Sequence, residues 1–171
     1  KLLRLDFNEN TIGPSPLVVN ALKNIPPEQI SIYPEYNGLR EALIANLLTS
    51  EPSIKIQPAE IGLFNGVDAA IHATFQTYGE RNNYLLTTTP TFGYYTPCAQ
   101  MQGMQIIAIP YEGKEYNFPT KKIQTALLER RPKLLVICNP NNPTGTRLSP
   151  QTILKFAISS PNTLVVVDEL Y

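Results

Sequence analysis

Histidine occurs once in this sequence, at His72, and cysteine only twice, at Cys98 and Cys138. No CxxC pair is present, so neither a structural zinc site nor any other metal centre is expected. Two cysteines forty positions apart read most simply as buried free thiols. That use of cysteine suits the reducing cytosol, and a cytoplasmic location is expected. Charge of one sign is also lacking: 14 basic residues balance 14 acidic ones. A neutral, interspersed chain sets up no long-range field for nucleic acid or an anionic membrane. No apolar run reaches the roughly 20 residues a spanning helix needs. The opening Lys1-Leu2-Leu3-Arg4-Leu5-Asp6 lacks the apolar stretch and cleavage site of a signal peptide. Neither GxGxxG nor GxxxxGK[ST] occurs, which removes the usual dinucleotide and ATP fingerprints.

What is present is the composition of a folded domain. Apolar residues make up 43% of the 171 positions and charged residues 16%. A chain of this length buries roughly 70% of its unfolded surface. Short apolar runs at 61–64, 84–88, 105–109, 134–138 and 164–167 read as strands. Helical periodicity lies between them. Val67, Ala70, Ile71, Thr74, Phe75 and Tyr78 fall on one helical face, and Gly79 follows as a stop. Ile123, Leu127 and Leu128 mark a second helix that Pro132 ends. Ser149-Pro150 and Ser15-Pro16 are helix starts, with Ser as N-cap and Pro at the first helical position. Residues 38–48 form another helix.

Alternating strand and helix predicts an α/β fold, a mainly parallel sheet with helices on both faces. The runs 134–138 and 164–167 are nearly continuous apolar stretches and read as central strands. Residues 1–40 read as an arm and helix outside the domain, and 41–171 as the domain itself. In such sheets ligands bind outside the carboxyl ends of the strands. Three segments there carry unusual chemistry. Asn65-Gly66-Val67-Asp68 turns from strand to helix. It is either an ordinary turn with Asn65 as N-cap or a phosphate site at a helix N-terminus. Asn139-Pro140-Asn141-Asn142-Pro143-Thr144-Gly145-Thr146 is a turn by composition, or a rigid polar platform. Asp168 ends an apolar strand and needs a partner, either a helix N-cap or a cationic ligand nitrogen.

Taken together, Asn-Pro-x-Asn-Pro-Thr-Gly after one strand and Asp-Glu-x-Tyr after the next resemble the fold-type I aminotransferases, which use pyridoxal 5'-phosphate (PLP). Asn65-Gly66-Val67-Asp68 resembles their cofactor-phosphate turn, and Pro90-Thr91-Phe92-Gly93-Tyr94-Tyr95 their ring-stacking segment. Asp6-Phe7-Asn8-Glu9-Asn10 and Tyr33-Pro34 resemble the histidinol-phosphate aminotransferase branch. The resemblance implies the large PLP-binding domain of that fold, incomplete. It implies Asp168 against the pyridine nitrogen, Asn142 and Tyr171 on the ring's phenolic oxygen, and Phe92 stacked on the ring. It places Gly66, Val67 and Asp68 on the phosphate. It further implies Tyr33 reaching the phosphate of a neighbouring subunit in a homodimer, and Asn8 near a small amino-acid or keto-acid substrate. The implied reaction is transamination of L-histidinol phosphate and 2-oxoglutarate to imidazole acetol phosphate and glutamate. A threonine-phosphate decarboxylase and a non-catalytic PLP-binding domain are the alternatives. The family's cofactor-anchoring lysine sits in a Ser-x-Ser-Lys-like segment, and none occurs here. The chain is therefore expected to be an N-terminal portion, without the small C-terminal domain and inactive alone.

Overall fold

The computed structural model describes residues 7–35 and 38–171. The opening segment 1–6, and with it Asp6 of the motif named above, lies outside the described residues. The chain divides into two compact units, Lys1–Leu63 and Phe64–Tyr171.

The first unit is helical. Helix α1 (Pro16–Lys23) starts as its sequence dictates: Ser15 Oγ accepts the Leu17 N–H at 3.3 Å, and Pro16 opens the first turn. Helix α2 (Pro27–Ser31) is short, and α3 (Leu39–Ser50) follows Gly38, whose φ is 81°. A 3-10 turn at Pro58–Glu60 is closed by the Glu60 carboxylate, which accepts the Gln57 N–H at 2.7 Å. None of α1, α2 and α3 has a buried residue. Helices this short draw little stability from propensity alone.

The second unit holds α4 (Val67–Tyr78), β1 (Tyr84–Thr89), α5 (Tyr95–Met101), β2 (Gln105–Pro110), α6 (Thr120–Arg130), β3 (Leu134–Cys138), α7 (Pro150–Ser159) and β4 (Leu164–Asp168). The four strands form one parallel sheet in the order β2-β1-β3-β4. Successive side chains point to opposite faces, and both faces are covered. Leu85, Leu134 and Val136 pack against Ile71 and Phe75 of α4 and Tyr95, Cys98 and Ala99 of α5. Leu86, Leu135 and Ile137 pack on the other face, against Ile123 and Leu127 of α6 and Phe156 of α7. The expected parallel α/β fold is therefore the one observed. Both cysteines are free and buried.

Three expectations are corrected. Residues 61–64 are not a strand: Ile61 is extended, at φ −109° and ψ 114°, but the segment joins no ladder among the described residues. An apolar run becomes a strand only with a hydrogen-bonding neighbour. The run 164–167 is not central among the described strands: β4 comes last in the order β2-β1-β3-β4 and its middle residues are only half-buried, while β1 takes the inner place beside β3. Helices cover both faces of β4, which accounts for its valines, but no described strand pairs along its outer side. Leu128 turns away from the core at 56% exposure, and Ala126 replaces it in the buried stripe of α6.

Glycine is needed at position 79, the C-cap of α4, since a Cβ there would collide with the Phe75 carbonyl oxygen. Phe156 is 1% exposed and anchors the α7 face, with Phe118 beside it at a ring separation of 6.1 Å. Phe156→Ala is expected to destabilise the chain by about 3–5 kcal/mol through lost burial and the cavity left behind. Urea denaturation measures this, and a loss under about 1 kcal/mol would show that the α6–α7 face is not a packed core.

Candidate active site

The site is built where parallel strands release their chains on one side of the sheet. β3 and β4 end in register, Cys138 opposite Asp168, and the Asn139 N–H donates to the Asp168 carbonyl at 2.8 Å. The loops after β1, β3 and β4 therefore leave side by side.

The loop after β3 is braced by two asparagines. Asn139 spans its base: its Nδ2 donates to the Leu148 carbonyl at 3.1 Å, and its Oδ1 accepts the Leu148 N–H at 2.8 Å. Asn141 is 3% exposed and ties the loop to the β1 exit. Its Nδ2 donates to the Pro90 carbonyl at 3.0 Å and to Thr144 Oγ1 at 2.8 Å. Its Oδ1 accepts from Thr91 Oγ1 at 2.7 Å. A buried amide with its donors and acceptor engaged holds a single orientation. On this platform Asn142 is partly exposed, and its Nδ2 donates to Tyr171 Oη at 3.0 Å. The two residues expected on one ring oxygen are thus hydrogen-bonded to each other.

Asp168 is 8% exposed. Oδ2 accepts the Tyr95 hydroxyl at 2.6 Å, and Oδ1 accepts the Leu170 N–H at 3.2 Å. Burial, together with the bond to Asp168, pushes the Tyr95 phenol far above its ordinary ionisation range. Tyr95 is accordingly the donor. Its ring meets Phe92 edge-on, at 5.7 Å and 79°.

The turn before α4 approaches the same neighbourhood. Gly66, with φ 83° and ψ 164°, is the N-cap of α4, and no side chain caps the helix. Asn65 is therefore not the N-cap, because the cap position demands a backbone that glycine adopts readily. The first-turn N–H groups of Val67 and Asp68 have no intrahelical partner. Asp68 lies near Tyr94 and Cys98 at the start of α5. Tyr94 is pushed up first by burial, then by Cys98 and the Asp68 charge. Cys98 is also pushed up by burial, with the Tyr94 bond opposing. A groove of ≈ 330 Å³ runs between α4 and β4, lined by Val67, Ala70, Ile71, Thr74, Val166 and Asp168.

Of the expected site residues, Gly66, Val67, Asp68, Phe92, Asn142, Asp168 and Tyr171 all belong to the second unit. Asn8 and Tyr33 belong to the first unit and are not among the pairs just named; Tyr33 is 96% exposed. Sequence reasoning missed Tyr95 and Asn141. Each stood inside a noted motif, and neither carried a signal of its own. Among the described residues no three His, Cys, Asp or Glu side chains converge as metal ligands. No described helix is long and apolar enough to cross a membrane.

The parallel sheet has a buried carboxylate at one strand end and a polar asparagine platform at the next, the arrangement that the resemblance to the PLP-dependent transferases implies. The chain belongs to the class I and II aminotransferase family, whose model matches residues 1–171. It is 34% identical over 173 residues to a histidinol-phosphate aminotransferase of Moorella thermoacetica, covering 99% of this chain and 42% of that protein. It is 29% identical over 171 residues to a dihydroxyacetone phosphate transaminase of Campylobacter jejuni, covering 99% and 45%. In fold it matches the histidinol-phosphate aminotransferase of Sinorhizobium meliloti, solved in complex with PLP. The TM-score is 0.77 at 21% identity, over 95% of this chain and 42% of that one. The chain thus spans less than half the length of these relatives.

Proposed function

We propose that the protein carrying this chain is a PLP-dependent transaminase acting on a phosphorylated substrate. The favoured pair is L-histidinol phosphate and 2-oxoglutarate, giving imidazole acetol phosphate and glutamate. The observation that carries the reading is Asp168, a buried carboxylate at the carboxyl end of β4, with the Asn142–Tyr171 pair on the adjoining loops.

The residues fit the cofactor in charge and shape. Asp168 offers a desolvated negative charge to a cationic ring nitrogen, where such a pair is stronger than in water. Phe92 offers an aromatic face already held by Tyr95. Gly66 turns the chain into α4, and the N–H groups of Val67 and Asp68 in its first turn, at the positive dipole end, suit a phosphate. Asn142 and Tyr171 can hydrogen-bond the ring's phenolic oxygen. Bound PLP supplies an electron-withdrawing ring that stabilises negative charge at the substrate's α-carbon. Tyr33 is assigned to the phosphate of a neighbouring subunit in a cytoplasmic homodimer, and Asn8 to the substrate.

A second reading is favoured by the Campylobacter relative: dihydroxyacetone phosphate as the keto substrate. The complete protein, purified with PLP, should form glutamate from 2-oxoglutarate and L-histidinol phosphate. The same assay run backwards, with glutamate and dihydroxyacetone phosphate, separates the two. Saturable turnover only with dihydroxyacetone phosphate would move the assignment, and turnover with neither would overturn both.

A further inference from the structure

Tyr95 stands in the ring-stacking segment but has no part among the roles proposed above. It lies in the first turn of α5, is 1% exposed, and is the largest fully buried side chain of the described residues. Its position is unusual for a tyrosine in an apolar cluster. A core position facing Phe75, Leu85 and Leu134 would be filled at lower cost by phenylalanine, because a buried hydroxyl without a partner is destabilising. Here the hydroxyl has a partner of a particular kind. It donates at 2.6 Å to Oδ2 of Asp168, across 73 positions of sequence. The Cys138 thiol, in register with Asp168 on the neighbouring strand, is the other polar group beside it. At its other edge, the same ring stands perpendicular to Phe92.

We propose that Tyr95 is a positioning residue for the cofactor site: its phenol fixes the rotamer of the Asp168 carboxylate while its ring fixes the plane of Phe92. The inference rests on the PLP reading given above. An ionised carboxylate has about four lone-pair sites. Tyr95 takes one and the Leu170 N–H another, which leaves two in a defined direction for a ring nitrogen. Without the phenol, Asp168 is held only by the longer bond from Leu170 and can rotate about its side-chain bonds. Phe92 and Asp168 would address the face and the nitrogen of one ring. A single rigid side chain between them sets both distances at once, as preorganised sites require.

Tyr95→Phe keeps the ring, the contact with Phe92 and nearly all the volume. The complete protein is compared with this variant by three readouts: the PLP dissociation constant, the pH midpoint of the bound cofactor's absorption, and the melting temperature without PLP. The expected result is a dissociation constant raised about tenfold and a midpoint moved by about one pH unit, with the cofactor-free melting temperature changed by only a few degrees. In an Asp168→Asn background the same substitution should have no further effect on PLP affinity, because Tyr95 acts through that carboxylate. An unchanged dissociation constant and midpoint in Tyr95→Phe would overturn the inference. So would losses that simply add to those of Asp168→Asn. If Tyr95→Phe alone leaves a buried carboxylate so poorly satisfied that the protein does not fold, the double variant decides. Removal of the charge restores folding, and PLP affinity equal to that of Asp168→Asn supports the role, while weaker affinity overturns it. A wild-type protein that takes up no PLP would sink the functional reading itself, before any variant is compared.

Discussion

Asp168→Asn in the complete protein is expected to lower transamination about a hundredfold or more while leaving PLP bound. The substitution is nearly isosteric. The asparagine carbonyl can still accept the Tyr95 hydroxyl that Oδ2 accepts now, so α5 and β4 keep their contact. What disappears is the charge. Asp168 is 8% exposed, and a charge-assisted hydrogen bond made there is worth roughly twice a neutral one. Loss of one preorganised electrostatic partner at a reacting centre costs roughly 3 kcal/mol. At about 1.4 kcal/mol per factor of ten, that is about a hundredfold in rate. Binding suffers less, because the phosphate donors at the start of α4 and the Phe92 face are untouched. The measurement is kcat at saturating PLP, with cofactor occupancy checked by absorbance. Near-normal turnover would reduce Asp168 to a turn-forming residue that holds the Leu170 N–H.

How far the sequence anticipates this site depends on what each residue type reports. The alternation of Leu85 and Leu86, and the continuous run 134–138, report burial directly, and those strands stand where expected. Burial is not order, however. The valines of β4 show that its faces are covered and say nothing about which strand lies beside it, so the outermost of the described strands read as central. Residues 61–64 show the same limit, since an apolar run does not disclose whether a ladder partner exists. α5 went unseen for a different reason. It is seven residues long and contains Pro97, normally a stop signal. Pro97 is tolerated because it falls in the first turn, where an N–H would have no intrahelical partner. That short helix carries Tyr95, so the overlooked element held the overlooked residue. The loop after β3 was legible as a turn from its prolines and glycine. The bonds of Asn141 that brace it against Pro90 and Thr91 join positions about fifty apart, beyond the reach of local pattern.

The 171-residue chain by itself is expected to show no transaminase turnover and to form no stoichiometric adduct with PLP at any one lysine. An amine that attacks an aldehyde must be neutral, and burial in an apolar setting is what strips an ammonium of its proton near neutral pH. None of the described lysines is buried. Lys23, Lys55, Lys114, Lys121, Lys122 and Lys155 are exposed, and Lys122 is further engaged by Glu112 at 3.1 Å. Lys133 is half-buried, but its ammonium pairs with Glu80 at 3.3 Å. It also precedes β3, at the opposite end of the strand from Asn139. Six steps along the strand separate them by about 20 Å, too far for a lysine side chain to reach Asp168 or Phe92. Non-covalent affinity through the α4 N–H groups and Asp168 would not replace the missing amine, since no group would then stand ready to carry a proton at the substrate carbon. The test adds PLP to the isolated chain, reduces with borohydride and maps the labelled lysines by mass spectrometry. Scattered substoichiometric labelling, or none, is the expected outcome. Stoichiometric labelling of one lysine together with turnover would show that these residues hold a complete catalytic site.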